Sequence, residues 1–244
     1  MAEQYGEDLA YIHDVGFRGF TMNAAPVVMQ SLRVSGVDHG LIVDLGCGTG
    51  LWADLLLRAG YDVLGVDISP GMVAVAKKRA PDAKFLCESF LDTKIPTCDA
   101  VTSIGECFNY QFDRESNEAN LRRLFARIYY ALRPGGVFLF DIRLPPSGRT
   151  KSTQLSHRQG EDWAVLGRVE LDETGSEMTR TMTTFRKVGK MYRRNEEVHR
   201  LRLYPEASIE EKLTGVGFEV RSLRGYGGKK FAVHHLAFIA RKKS

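Results

Sequence analysis

Short apolar runs and amphipathic stretches alternate between residues 41 and 142. Leu41–Val43, Asp62–Asp67, Ala83–Cys87, Asp99–Ile104 and Val137–Ile142 are largely apolar and rich in β-branched residues, so each predicts a buried strand. Helical patterns lie between them. Leu51–Gly60 closes on a glycine, and Ser69-Pro70 offers a cap and a first-turn proline for a helix running through Lys78. Leu121, Leu124, Phe125, Ile128 and Leu132 fall on one face of a helix over Ala119–Leu132, a core stripe. Alternation of this kind predicts a parallel sheet with helices on its faces.

Beyond residue 150 the pattern changes. Residues 151–162 are polar and read as loop. Trp163–Leu171, Glu177–Val188 and Met191–Tyr204 show partial alternation with turn signals between them, which predicts a three-stranded antiparallel meander. A helix over Ala207–Gly215 follows, with Ser208 as a candidate cap. Then come a strand at Phe218–Leu223, a loop at Gly225–Gly228 and a last strand at Phe231–Ala240. The short link between those two strands makes them antiparallel neighbours. Ahead of the sheet, Ala24–Leu32 predicts a helix with Pro26 in its first turn. Asp8–Phe17 mixes aromatic and charged residues without a clean period. The chain divides into an N-terminal segment (1–40), a core (41–150 and 205–244) and an inserted β subdomain (151–204).

Composition narrows the classes. The 244 residues are 43% hydrophobic and 26% charged, ordinary for a globular α/β chain. No apolar stretch approaches the roughly 20 residues that span a bilayer. The acidic start is unlike a secretory signal, so a cytoplasmic protein is expected. Cys47, Cys87, Cys98 and Cys107 form no C-x-x-C pair; reduced thiols and no metal site are expected. The net charge of +4 is too small to imply a polyanionic partner. The basic residues of the meander, Arg180 among them, read as solvated strand faces rather than as a site for an anionic acceptor or nucleic acid, because aromatic residues are not interleaved with them; nucleic acid is disfavoured. Monomer and homodimer both remain open.

The chemistry concentrates at Val43-Asp44-Leu45-Gly46-Cys47-Gly48-Thr49-Gly50, the turn between the first strand and its helix. Three glycines in five positions allow positive φ and close approach of a ligand. A dinucleotide fingerprint needs glycine or alanine at its sixth position, where this chain has Leu51. A carboxylate, Asp44, precedes the glycines and suits a partly cationic ligand. Asp67 ends the second strand, where a carboxylate can accept both hydroxyls of a ribose. At these residues the sequence resembles the class I S-adenosylmethionine-dependent methyltransferases, small-molecule type. The Asp-Ile-Ser-Pro-Gly-Met run at Asp67–Met72 and the Leu-Arg-Pro-Gly-Gly turn at Leu132–Gly136 extend the likeness.

The resemblance implies a Rossmann-like, doubly wound seven-stranded sheet with an antiparallel last strand, plus the inserted β-meander over the acceptor. It implies S-adenosyl-L-methionine as cofactor, with Asp44 near its amino-acid moiety and Gly46, Cys47 and Gly48 along it. Asp67 then takes the ribose, Ile68 the adenine face, Ser89 and Phe90 the base, and Gly105 the approach beside the methyl group. An N-terminal lid carrying Tyr11, His13 and Phe17 covers the site, with Tyr11 as a cofactor contact. Glu106, Asn109 and Tyr110 follow the fourth strand and are expected at the acceptor; Glu106 is the candidate base, and Tyr110 shares the catalytic assignment. The chain lacks the Asn/Asp-Pro-Pro-Tyr/Phe motif of enzymes acting on exocyclic base amines. Cys107 follows Glu106 rather than proline, which argues against a nucleophilic thiol. Arg143 is a candidate for meeting an acidic acceptor group but is more readily expected at the surface, and His234 and His235 in packing roles. The expected reaction is N- or O-methylation of a small molecule. An RNA or protein methyltransferase, a non-catalytic cofactor-binding protein and a nicotinamide dehydrogenase are the alternatives.

Overall fold

A computed structural model describes residues 5–113, 115–147, 152–226, 229–231 and 234–243. Two helices, α1 (Glu7–Gly16) and α2 (Gly19–Val34), precede the sheet. The alternating half runs β1 (Gly40–Leu45), α3 (Leu51–Arg58), β2 (Tyr61–Asp67), α4 (Pro70–Arg79), β3 (Lys84–Cys87), β4 (Cys98–Ser103), α5 (Glu118–Ala131) and β5 (Leu132–Arg143). The insertion comprises β6 (Ser152–Gln159), β7 (Trp163–Leu171), β8 (Glu177–Val188) and β9 (Met191–Arg202). The chain returns through α6 (Glu206–Thr214), β10 (Glu219–Leu223), the short pair β11 (Gly225–Tyr226) and β12 (Lys229–Lys230), and β13 (His235–Arg241).

Seven strands form the main sheet in the order β10-β13-β5-β4-β1-β2-β3. β13 runs antiparallel to both neighbours, whereas β5, β4, β1, β2 and β3 are mutually parallel. This is the expected seven-stranded sheet with a reversed last strand. One face is packed by Phe108, Phe125, Phe138 and Phe140, and the other by Trp52, Leu56, Val63 and Val73. The strand order reverses between β1 and β4, which opens a crevice at their C-terminal ends. That crevice is where the glycine-rich turn and the Gly105–Tyr110 segment meet.

The inserted sheet has four strands, not three. β6 occupies residues expected to be loop and pairs with β7 from Ser152↔Leu171 to Gln159↔Ala164. Seven of its eight residues are exposed, so no apolar alternation announced it. Pro26 sits at the eighth position of α2 rather than in its first turn. The aperiodic stretch around Asp8–Phe17 is α1, whose buried residues include Asp8 as well as Leu9, Ala10 and Ile12. Ser208 does not cap α6; Pro205 precedes that helix, and Ser208 Oγ accepts from Lys212 instead. The last strand begins at His235, and part of the expected Gly225–Gly228 loop pairs as β11 with β12; Gly227 and Gly228 themselves lie outside the described residues.

α1 is wedged between α4 and the inserted sheet. Arg79 from α4 donates to both Asp14 oxygens at 2.6 Å and to the Thr49 carbonyl at 2.8 Å. On the other side Asp8, 2% exposed, accepts from Arg193 Nε at 2.6 Å, Asn195 at 2.7 Å and Arg186 at 3.3 Å. Burial acts to raise the Asp8 carboxyl, and the Arg193 and Arg186 contacts outweigh it, holding it below the ordinary range. Its folded value is depressed, so its stabilisation is present above the unfolded value and is lost as pH falls through the folded one. Asp8→Asn keeps the shape and removes the charge. The expected loss is about 2 kcal/mol in urea denaturation at neutral pH, with faster amide exchange in α1. The difference from wild type should vanish in acid, once Asp8 itself is protonated.

Candidate active site

The site begins with the turn that follows β1. Gly46, Gly48 and Gly50 have φ of 73°, 52° and 73°, the left-handed region in which a side chain is strained. At Gly46 there is also no room: a Cβ would lie 2.5 Å from Cys107 Sγ. The turn's amides are committed to β2. Gly46 and Cys47 donate to the Val66 carbonyl, and Gly48 N donates to Asp67 Oδ2 at 2.8 Å. Ser69 N donates to Asp67 Oδ1 at 2.9 Å. Burial raises the Asp67 carboxyl against these two amides. The carboxylate is fixed in orientation, with lone pairs still free for two more donors.

Asp44 is 2% exposed at the end of β1. It accepts from Thr102 Oγ1 at 2.8 Å, and that hydroxyl receives Trp52 Nε1 at 3.1 Å. Among the described residues no cation pairs with Asp44. Burial therefore pushes its carboxyl up to about 7, and Thr102 offsets this only in part.

A cavity of about 630 Å³ runs from this turn to the segment after β4. Gly46, Gly48, Asp67, Ile68 and Phe90 form its near end. Gly105, Glu106, Tyr110, Arg180 and His235 form the far end, and Tyr5, His13 and Phe17 cover it. A side pocket of about 60 Å³ shares Gly46, Gly48 and His13 with it and reaches Asp44 and Cys47. Two expected cofactor residues stand elsewhere. Tyr11 donates its hydroxyl to Asp162 at 2.8 Å, and Arg186 lies 3.9 Å above its ring, so it ties α1 to the insertion. Ser89 accepts from Leu91 N at 3.1 Å and shapes its own turn.

The far end is built on Asp141 of β5, which is fully buried. Gly105 N and Glu106 N donate to it at 3.0 and 2.9 Å, Tyr226 Oη at 3.1 Å and His235 Nε2 at 2.9 Å. These bonds hold Glu106 at φ 62°, a left-handed conformation uncommon for a residue with a side chain. The Glu106 carboxylate faces Arg180 at 3.4 Å, Arg143 at 3.6 Å and His235 Nδ1 at 3.6 Å. Burial alone would raise it; His235, Arg180 and Arg143 bring it down to about 2. Burial likewise opposes the charged form of His235, yet Asp141 and Glu106 lift it to about 9. Arg180 Nη1 donates to Tyr110 Oη at 2.8 Å, and Tyr110 lies 3.0 Å from Tyr5 Oη. Burial is also the leading cause that raises the Tyr110 and Tyr5 phenols and the Cys107 thiol, so none of these groups is an anion at neutral pH.

Of the expected acceptor residues, Glu106 and Tyr110 face the cavity. Asn109 is fully buried, donates to the Arg143 and Arg202 carbonyls and accepts from Arg143 N, so it braces β5 against the end of β9. Arg143 pairs with Glu106 instead of standing at the surface. Arg180 and His235 belong to the site although the sequence marked them as a solvated strand residue and a packing residue. Tyr5 carried no signal at all.

The fold is thus a doubly wound sheet with a reversed last strand, and its glycine-rich turn is flanked by two strand-end carboxylates. Residues 42–136 match the model of the methyltransferase domain family. A protein of Geobacillus sp. strain WCH70 named as a methyltransferase is 32% identical over 148 residues, 56% of either chain, so the match spans about half of that relative's length. A crystal structure of an S-adenosylmethionine-dependent methyltransferase from Clostridium acetobutylicum ATCC 824 superposes with a TM-score of 0.80 at 20% identity, over 96% of this chain and 98% of that one. The sugar N-methyltransferase KedS8 from Streptoalloteichus sp. ATCC 53650 gives 0.77 at 20% identity, over 100% and 98%. At these identities the likeness concerns the fold.

His235 has a folded value above its unfolded one, so its stabilisation is complete below about 6.5 and is lost as pH rises through about 9. Nitrogen NMR at pH 7.5 should show an imidazolium with both ring protons. In Asp141→Asn the same ring should titrate at least one pH unit lower, by an order-of-magnitude estimate for a lost buried charge pair.

Proposed function

We propose that this chain is an S-adenosylmethionine-dependent methyltransferase acting on a small-molecule acceptor. The observation that carries the proposal is the continuous cavity that joins the Asp67–Gly48 corner to the Glu106–Arg180 cluster. One end suits a nucleoside and the other a second reactant. Asp67, oriented by two amides, has lone pairs for the two hydroxyls of a ribose. Ile68 and Phe90 offer apolar walls for a base. Asp44 is a buried carboxylate without a cation, which fits the amine of an amino-acid moiety. The residues present therefore fit this cofactor, and Tyr11 and Ser89 are not needed to hold it.

When bound, S-adenosylmethionine supplies a methyl group on a positively charged sulfur. The protein's part is placement. The left-handed turn brings backbone close to the ligand, and Gly105 leaves the space beside it free of a side chain. Glu106 and Tyr110 flank the acceptor's position, and Tyr5, His13 and Phe17 shield it from water. Alignment of two reactants in one cavity supplies much of a rate enhancement. The N-terminal lid and the inserted sheet partly cover the cavity, which favours a small acceptor over a polymer.

Calorimetry with S-adenosylhomocysteine and with NAD tests this reading; binding of the former alone is expected, and binding of neither would refute it. Asp67→Ala should weaken S-adenosylhomocysteine by about 100-fold, the worth of two hydrogen bonds to a charged group. Proton linkage gives a further test. A cationic amine needs Asp44 ionised, so affinity should fall below pH 7, approaching about tenfold per unit. The Asp44→Asn variant should bind weakly at every pH and lose that slope.

A further inference from the structure

The far end of the cavity carries more positive than negative charge. Arg180 and His235 line it and Arg143 stands behind Glu106, whereas Arg158 is exposed and bonds to the Gly16 carbonyl. Among the described residues Glu106 is the one carboxylate lining this end, and Asp141 lies behind it, its oxygens taken by two amides, Tyr226 and His235. Three buried or half-buried cationic side chains thus face two carboxylates in a space whose apolar lining includes Val165, Val169, Met182 and Phe112. An excess buried cation is costly unless an anion meets it.

We propose that the methyl acceptor is an oxyanion, a carboxylate or phenolate seated against Arg180, and that the chain is an O-methyltransferase. This rests on the methyltransferase reading and goes further, since the fold likeness to a sugar N-methyltransferase does not fix the accepting atom. The site's bases point the same way. An ammonium acceptor must first lose a proton. Glu106, held down to about 2, is a poor proton acceptor, and both ring nitrogens of His235 face carboxylates. Burial holds the His13 imidazole at about 4, equally weak. An oxyanion needs no base. Its oxygen lone pair forms the new O–C bond, the C–S bond breaks, and the bonding pair stays on sulfur. The negative charge of the oxygen and the positive charge of the sulfur disappear together, a change that an apolar, water-poor cavity favours. Arg180 is anchored for this task, with one nitrogen on Tyr110 and another on Glu106.

The test titrates protein saturated with S-adenosylhomocysteine with benzoate and with benzylamine, probes of one size and opposite charge, followed by calorimetry. Benzoate should bind at least about tenfold tighter. Arg180→Gln should erase that preference and leave S-adenosylhomocysteine affinity unchanged. Glu106→Gln works in the opposite direction: it frees Arg180 from its carboxylate and should tighten benzoate severalfold. This second variant keeps the test decisive if the first fails to fold. Benzylamine binding as tightly as benzoate, no benzoate binding at tens of millimolar, or a preference indifferent to both variants would overturn the proposal. Failure of S-adenosylhomocysteine to bind refutes the methyltransferase reading instead, and the charge preference is then read on the free protein.

Discussion

The buried carboxylate of Asp141 organises the reactive half of this molecule. It lies in the middle of the sheet, with no exposed surface, yet it accepts four hydrogen bonds. An isolated carboxylate there would be neutral or absent, because burying an uncompensated charge is too costly. Its donors come from three separate parts of the chain: the segment after β4, the β11 residue Tyr226 and the β13 residue His235. The carboxylate therefore fixes the backbone at Gly105–Glu106, orients the imidazole and ties the reversed strand to the crevice. Glu106 can hold its left-handed conformation because two of those bonds are to its own amide and its neighbour's.

The roof depends on a second set of buried charges. Asp8 and Asp14 lie on the same helix and face opposite ways, one to the inserted sheet and one to Arg79 beside the glycine-rich turn. The amides of Tyr5 and Gly6 donate to Glu197, and Ser69, which caps α4, donates to the Tyr5 carbonyl. The start of the chain is thereby bonded to both the floor and the cover of the cavity. Roof and floor are coupled through hydrogen bonds that water can replace, which is the kind of contact that opening and closing require.

What the sequence made legible was local. The glycine turn, the strand-end acids and the alternation of strand and helix each depend on a few adjacent residues, so the sheet and the near end of the cavity were readable. The far end was not. Arg180 lies on a strand whose polar residues look solvated, and only the docking of the insertion turns that face inward. His235 reads as one of two histidines in a strand, because nothing local says which face meets Asp141. Tyr11 lies within the aromatic stretch and reads as a lid residue, but the wedge position of α1 points it toward Asp162. β6 carries polar residues on both faces and so lacked the alternation that marks a half-buried strand. Arg180, His235 and Tyr11 share one property: the environment of each is set from far along the chain.

That distance has a consequence for how the molecule is made. Asp141 waits for His235, 94 residues later, and the Tyr5 amide waits for Glu197, 192 residues later. Contacts of such long sequence separation form late, since the intervening chain must first be ordered. During synthesis the parallel strands β1 to β5 are complete before Glu197 of the inserted sheet and His235 have been made. The nucleoside end is thus the older part of each new molecule. The end that chooses the reaction partner is completed only when the reversed strand slides in beside β5.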